Sequence, residues 1–241
     1  MTKGSEDVIM NYAFDVDGTL SAARTRMNSQ FESWFLTWMQ DKNVFLVTGS
    51  DRTKTVEQIG TTIVDNCTMV FQCAGNSVWQ RGVEISATDL NPPRNMFGFL
   101  EQEVANSPYP HKYGEHIEKR TGLINFSIVG RSAVGEQRDD YYAWDNIHHE
   151  RTAIANRFNN TFPGFEAEVG GNTSLDIHLK GRNKAQVYDV IGAPMVFFGD
   201  RMYPGGNDYP LKNRMIHPLD RVHPVTSAEQ TWQLLKDHYN E

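Results

Sequence analysis

The stretch that decides the fold is Asp15-Val16-Asp17-Gly18-Thr19, which directly follows an apolar run. That run, Val8 to Phe14, predicts a buried β-strand, and Gly18 lets the chain turn sharply behind it. Two carboxylates placed two residues apart in such a turn can hold a hard cation through oxygen ligands. One carboxylate can also attack phosphorus, which leaves the other free for general acid–base work.

The same arrangement of an apolar strand followed by a polar or small loop recurs along the chain. Val44–Val47 is followed by Thr48-Gly49-Ser50, Met69–Cys73 by a small-residue loop, and Met195–Phe198 by Gly199-Asp200. Helical segments separate these strands, which is the βαβ pattern of a parallel sheet. Ligands of such sheets bind beyond the carboxyl ends of the strands, so the polar loops are candidate site residues.

The first helix is predicted from a stripe of large apolar residues at helical spacing. Ser29 and Glu32 have the spacing of a capping box and are expected to begin this helix. The stripe consists of Phe31, Trp34, Phe35, Trp38 and Met39. These aromatic residues are interpreted as core packing rather than as a binding surface.

The pattern changes after Trp79, where the chain becomes more polar and the predicted strands alternate apolar and polar residues. Leu123–Val129 and Thr173–Leu179 are predicted strands, with a helical stretch over His149–Phe158 between them. The alternation in the second strand places His178 on the face away from its apolar residues, and we expect that histidine to face outward. We predict a core domain over residues 1–81 and 181–241, with an inserted α+β unit over residues 82–180.

Composition limits the function. The 241 residues carry 23 Lys and Arg against 30 Asp and Glu, a net charge of −7. An acidic protein lacks the basic face that non-specific nucleic-acid binding needs. No apolar run is long enough to cross a bilayer, and the N-terminal sequence has no apolar core of a signal peptide. Two cysteines are too few for a disulfide framework or a zinc site. We therefore expect a cytoplasmic protein that binds neither nucleic acid nor membrane.

Several further side chains sit just beyond predicted strands or at a helix start. Thr48 and Ser50 offer hydroxyl groups to a phosphate, and Lys184 offers a cation. Asp200 and Asp208 offer two more carboxylates for a metal ion. Each alone is unremarkable, but parallel strands bring their carboxyl ends to one sheet edge, so we expect these groups to meet there.

This ordered set resembles the haloacid dehalogenase (HAD) phosphotransferase superfamily. The resemblance implies a Rossmann-like α/β core with a parallel sheet and an inserted type-IIB cap. It implies that Asp15 is the nucleophile and Asp17 the acid/base, and that Lys184 and either Thr48 or Ser50 bind the transferring phosphoryl group. The residues expected to hold Mg²⁺ are Asp15, Asp17, Asp200 and Asp208.

Within that superfamily, the inserted unit is similar to that of eukaryotic-type α-phosphomannomutases. The similarity lies in Glu118-Lys119-Arg120-Thr121-Gly122, in Ile128-Val129-Gly130-Arg131 and in Gly170-Gly171-Asn172-Thr173-Ser174-Leu175-Asp176. The planar fork of arginine suits a phosphate that must be held without reacting. The residues that the resemblance assigns to substrate binding are Arg24, Arg120, Arg131, Arg138, Ser174 and Asp176.

The family resemblance implies interconversion of mannose 6-phosphate and mannose 1-phosphate, and possible action on glucose phosphates, which differ only at C2. It implies an aspartyl-phosphate, a hexose 1,6-bisphosphate intermediate that also serves as activator, and Mg²⁺. Small-molecule hexose phosphates are then the expected partners, with a homodimer through the cap.

Two alternatives stay open at this point. A type-IIB sugar-phosphate phosphatase would use the same core but let water attack the aspartyl-phosphate. A catalytically silent sugar-phosphate-binding protein would need no nucleophile, and the intact acidic residues and Lys184 argue against it.

Overall fold

The computed structural model describes residues 10–240, which contain eleven strands and nine α-helices. The strands are β1 (Asn11–Phe14), β2 (Asn43–Val47), β3 (Met69–Gln72), β4 (Ser77–Gln80), β5 (Val83–Ala87), β6 (Ile117–Arg120), β7 (Leu123–Phe126), β8 (Phe165–Gly170), β9 (Ser174–Leu179), β10 (Met195–Gly199) and β11 (Arg221–Pro224). The helices are α1 (Ser29–Trp38), α2 (Arg52–Ile59), α3 (Thr61–Asn66), α4 (Arg94–Asn106), α5 (Glu136–His148), α6 (Glu150–Thr161), α7 (Gln186–Ile191), α8 (Tyr209–Arg214) and α9 (Ala228–His238).

Seven strands form a larger sheet in the order β11-β10-β1-β2-β3-β4-β5. The first five run parallel to one another, and β4 and β5 extend the sheet as antiparallel strands. The predicted α/β architecture with a parallel sheet is confirmed. The predicted first strand ends at Phe14 as observed, while its residues Val8 and Ile9 lie outside the described part of the chain.

Helices cover both faces of this sheet, as a sheet buried on both faces requires. One face carries Phe14 and Phe198, which pack with Phe31 and Phe35 of α1 and with Leu235 of α9. The predicted aromatic stripe is therefore core. The other face packs against α7 and α8 through Val187 and Leu211.

The start of α1 differs from the prediction. Asn28 is the N-cap, and its side chain accepts hydrogen bonds from the backbone N–H groups of Gln30 and Phe31. Glu32 instead forms an ion pair with Arg26 at 2.7 Å. The predicted Ser29–Glu32 capping box is wrong because an asparagine one residue earlier satisfies the same orphan donors.

Four strands form a second, antiparallel sheet in the order β6-β7-β9-β8. Helices α4, α5 and α6 bury one face of it around residues such as Phe126, Phe158 and Ile177. The opposite face looks toward the larger sheet, as the hydrogen bond from Arg120 Nη1 to the Gly49 carbonyl at 2.8 Å shows.

Two expectations about the inserted unit need correction. Strand β5 pairs with β4 in the larger sheet, although the predicted boundary assigns residues 83–87 to the insert. His178 does not face outward: it is fully buried, because the polar face of β9 is covered by other parts of the chain. Its Nε2 lies 3.4 Å from Glu168 Oε2.

Candidate active site

A buried ion-pair network lies at the carboxyl end of β1. Asp15 follows β1 directly, and its Oδ1 accepts a hydrogen bond from Lys184 Nζ at 2.6 Å. The same ammonium group donates to Asp208 Oδ1 at 2.7 Å. Lys184 is fully buried, so the lysine predicted at the sheet edge lies between two carboxylates rather than in solvent.

The carboxylates of this network outnumber its cations. Burial raises the pKa of Asp15 well above its usual value, Lys184 opposes the rise, and Asp208 and Asp200 reinforce it. Burial likewise raises the pKa of Asp200 to about 6. The raised pKa values of Asp15 and Asp200 show that a single buried ammonium group does not compensate the carboxyl groups around it.

Asp15, Asp200 and Asp208 bring carboxylate oxygens within 4.8 Å of one another, and we call these three residues the carboxylate cluster. An all-oxygen donor set with excess negative charge fits a hard divalent cation such as Mg²⁺. Gly18 belongs to this geometry, because its φ of +81° turns the chain and a Cβ there would lie 2.5 Å from Asp200 Oδ2.

Asp17 is not part of the carboxylate cluster, although it was predicted as a metal ligand as well as the acid/base. Its Oδ1 accepts hydrogen bonds from Gln58 Nε2 at 2.8 Å and from the Arg24 backbone N–H at 3.1 Å. Asp17 nevertheless lines the same cavity as Asp15. The proton-transfer role and the metal-ligand role of Asp17 both stay predictions.

The structure separates the two hydroxyl candidates. Ser50 lines the cavity, and its Oγ lies 3.5 Å from Asp17 Oδ2. Thr48 is buried, and its Oγ1 accepts a hydrogen bond from the Ser50 backbone N–H at 3.0 Å. Thr48 thus holds the loop, while Ser50 presents its hydroxyl to the cavity.

The cavity has a volume of about 830 Å³, and residues of both sheets and their loops line it. The predicted substrate-binding residues all belong to its lining: Arg24, Arg120, Arg131, Arg138, Ser174 and Asp176. We call the four arginines the arginine clamp. Asp15 and the clamp therefore face one common space, which is large enough for a sugar bisphosphate.

The clamp carries positive charge that the protein only partly neutralises. Burial and the neighbouring Arg24 lower the pKa of Arg131 to about 10, and Glu118 counteracts this. Burial and repulsion from Arg131 also lower the pKa of Arg138, whose Nη1 is buried without a hydrogen-bond partner. Mutually repelling guanidinium groups with an unused donor are chemically suited to binding an anion.

Neutral and acidic groups complete the cavity wall beside the clamp. Ser174 Oγ accepts a hydrogen bond from Arg131 Nη1 at 3.3 Å. Asp176 Oδ1 accepts one from Asn125 Nδ2 at 2.7 Å. Sequence reasoning missed Asn125 and Gln58, whose contacts with site carboxylates come from distant parts of the chain.

Comparison with known proteins identifies the family. A model of the eukaryotic phosphomannomutase family matches residues 33–241. The chain belongs to that family. A phosphomannomutase of Spinacia oleracea is 31% identical over 230 residues, which cover 90% of this chain and 91% of the relative. A phosphomannomutase of Saccharomyces cerevisiae is 27% identical and covers 94% of this chain and 93% of the relative.

Solved structures of other proteins share the fold at low sequence identity. The trehalose-6-phosphate phosphatase C-terminal domain of C. albicans gives a TM-score of 0.65 at 14% identity, covering 94% of this chain and 90% of that one. An IMP-nucleotidase of Plasmodium falciparum gives 0.67 at 15% identity, covering 96% of this chain and 68% of that one. These similarities establish the HAD fold, and the predicted fold and family are both confirmed.

Membership of the phosphomannomutase family makes the chain an enzyme of the phosphomannomutase type that acts on small-molecule hexose phosphates. The carboxylate cluster provides an all-oxygen donor set for a divalent metal ion. Among residues 10–240, no helix is both long and apolar enough to span a bilayer.

Proposed function

We propose that this phosphomannomutase transfers a phosphoryl group through Asp15 and interconverts hexose 6-phosphates and 1-phosphates by way of a hexose 1,6-bisphosphate. The observation that carries the proposal is the common cavity of Asp15 and the arginine clamp. A mutase must bind one phosphate without reacting while it transfers another, and this cavity offers a separate site for each.

In the first half-reaction an Asp15 oxygen attacks one phosphorus of a bound hexose 1,6-bisphosphate. The bond between that phosphorus and the sugar oxygen breaks, and Asp17 protonates the leaving oxygen. Gln58 and the Arg24 backbone N–H hold the Asp17 carboxyl group during this transfer. The arginine clamp meanwhile holds the second phosphate.

In the second half-reaction a hexose monophosphate lies with its existing phosphate on the clamp. Asp17 removes a proton from the free hydroxyl, which attacks phosphorus and releases the Asp15 carboxylate. Lys184 and the Ser50 hydroxyl stabilise the charge of the phosphoryl group in both directions. A divalent cation held by the carboxylate cluster would add further positive charge at the transferring phosphoryl group.

The two-sheet arrangement supports a division into a core and a cap. We propose that residues 10–87 and 181–240 form the core, with Asp15 and Lys184, and that residues 88–180 form the cap, with three of the four clamp arginines. A cap over the cavity would keep water from the aspartyl-phosphate, which favours transfer to a sugar over hydrolysis.

A coupled assay tests the function. Mannose 1-phosphate and glucose 1-phosphate are supplied separately, with and without a hexose 1,6-bisphosphate, and formation of the 6-phosphates is followed. We expect isomerisation that the bisphosphate strongly activates. Release of inorganic phosphate without isomerisation would contradict the proposal and support a sugar-phosphate phosphatase.

The nucleophile is tested by Asp15→Asn, with Asp189→Asn on the exposed face of α7 as a matched control. We expect the first variant to lose isomerisation and the acid-stable label from a radioactive bisphosphate, and the control to keep both. Isomerisation by Asp15→Asn would refute the covalent route. A homodimer through the cap and a cytoplasmic location remain predictions, and light scattering of the purified protein tests the first.

A further inference from the structure

Glu118, on strand β6 of the cap, lies between three cations. Its Oε1 accepts hydrogen bonds from Lys54 Nζ at 2.5 Å and from Arg120 Nε at 3.1 Å. Its Oε2 accepts one from Arg120 Nη2 at 3.0 Å and lies 2.6 Å from Arg131 Nη2. One carboxylate thus contacts two of the four clamp arginines and a lysine of helix α2.

The carboxyl group is ionised in this position. Burial alone would raise the pKa of Glu118, but hydrogen bonds from Arg120 and Lys54 hold it well below its usual range. Both oxygens of the carboxylate accept from Arg120, through Nε and Nη2, which is the bidentate pairing that fixes a guanidinium plane. The carboxylate therefore fixes the orientation of Arg120 as well as opposing its charge.

The same contacts connect the cap with the loop that carries Ser50. Lys54 belongs to α2, which begins four residues after Thr48, while Glu118 and Arg120 belong to β6. Arg120 also donates through Nη1 to the Gly49 carbonyl at 2.8 Å, directly beside Ser50. Two charged contacts from one cap strand thus reach the core loop and the helix that follows it.

We propose that Glu118 is a positioning residue for phosphoryl transfer, which aligns Arg120 and Arg131 and, through Lys54, latches the cap over the Ser50 loop. This inference rests on the proposed mutase function. The latch is the set of contacts among Glu118, Lys54 and Arg120. These contacts couple closure of the cap to assembly of the phosphate-binding site.

A mere counterion would behave differently from a positioning residue. Removing a counterion leaves more positive charge in the clamp, so an anionic substrate should bind more tightly with unchanged turnover. Removing a positioning residue leaves repelling guanidinium groups without a fixed orientation and an open cap. Binding and turnover should then both suffer, since a misplacement of about 1 Å can reduce a rate by about 100-fold.

Steady-state kinetics of Glu118→Gln with mannose 1-phosphate and saturating hexose 1,6-bisphosphate separate these readings. We expect kcat to fall about 10- to 100-fold and KM to rise. Lys54→Met should lower kcat in the same way, and the double variant should be little worse than either single one. Lys54→Arg, which keeps the charge, should recover most of the activity.

The matched control is Glu103→Gln, which breaks the ion pair of Glu103 with Arg157 at 2.6 Å on the helical side of the cap. Its kinetics should equal those of the unmodified protein. A lower KM with unchanged kcat in Glu118→Gln would overturn the inference while leaving the proposed function intact.

Amide hydrogen exchange gives a readout that does not depend on isomerisation. In Glu118→Gln and in Lys54→Met, the amides of β6 and of residues 48–54 should exchange faster together, while those of β8 stay unchanged. If the unmodified protein does not isomerise hexose phosphates, the proposed function fails, and the exchange data still decide whether the latch exists. Unchanged exchange at β6 and residues 48–54 would refute the latch.

Discussion

Replacing Lys184 with methionine should destabilise the protein strongly, because two buried carboxylates lose the same partner. Lys184 is fully buried and lies 2.6 Å from Asp15 and 2.7 Å from Asp208. Breaking a buried ion pair by removing one partner costs about 3–5 kcal/mol. We expect a loss near the upper end of that range in the free energy of unfolding at pH 7.5, measured by urea denaturation in the presence of a chelator.

The loss should shrink as the pH falls. The pKa of Asp15 is already raised by burial and held down by Lys184, so removing the lysine raises it further. A group whose folded-state pKa lies above its unfolded value stabilises the fold at low pH, and that contribution is lost as the pH rises. Lys184→Met should therefore be much closer to the unmodified protein at pH 5.5 than at pH 7.5.

Two further variants distinguish loss of the ion pair from a general folding defect. Lys180→Met, which removes an exposed lysine nearby, should change the free energy of unfolding by less than about 0.5 kcal/mol. Adding Asp15→Asn to Lys184→Met should restore part of the loss, because a neutral amide replaces one unpaired carboxylate. A loss below about 1 kcal/mol, or an equal loss at both pH values, would refute the buried ion-pair argument.

The remaining predictions concern the clamp, the metal site and a buried pair in the cap. Arg138→Met should raise the KM for hexose phosphate about 10- to 100-fold, because a hydrogen bond to a charged group contributes about 1.5–3 kcal/mol. An unchanged KM would show that Arg138 does not bind the substrate phosphate. Gly18→Ala, whose Cβ would lie 2.5 Å from Asp200 Oδ2, should weaken Mg²⁺ binding in calorimetry, and equal affinity would contradict the packing argument. Chelation of divalent cations should abolish turnover but leave binding of a hexose monophosphate within about threefold, measured by calorimetry, because the clamp needs no metal. Burial alone would lower the pKa of His178, but Glu168 raises it above its usual value. The free energy of unfolding should therefore fall as the pH rises above about 6.5, by at most about 1.4 kcal/mol per pH unit for one proton. Glu168→Gln should flatten this pH profile, measured by thermal unfolding.

The sequence predicted four of the five parallel strands of the larger sheet, and the residues of the carboxylate cluster, because both depend on local signals. It did not predict β4, β5 or β11. Apolar strands ending in polar loops fix a parallel sheet, and the geometry of such a sheet brings its carboxyl ends together. Lys184 and Asp15 are 169 positions apart, yet each follows a predicted element boundary, so topology alone placed them at one edge.

Other parts of the structure were not predicted. Helix α4 was missed although Met96, Leu100 and Val104 recur every four residues along it, and α5 was missed because only Tyr141 and Asp145 in it are buried. Glu118 reads as a solvent-facing position of a polar strand, and its three cationic partners become visible only when the cap lies over α2. His178 was misplaced for the same reason, since single-strand alternation does not reveal what covers the polar face.

In the proposed mechanism, opposite charge at the two ends of the cavity would let one protein hold a sugar bisphosphate in either orientation. In the proposed mechanism the clamp would attract whichever phosphate lies near it, at C1 or at C6, through its guanidinium groups. At the Asp15 end, Lys184 and a divalent cation held by the carboxylate cluster would offset the negative charge, so the proposed transfer would be confined to that neutralised site. In the proposed latch, Glu118 keeps the guanidinium groups of Arg120 and Arg131 aligned, because without this carboxylate they would repel one another and lose their orientation. If the proposed function holds, the buried charges of this protein serve phosphoryl transfer and reorientation of the bisphosphate, which explains why charged groups occupy a buried place where apolar residues could be at least as stable.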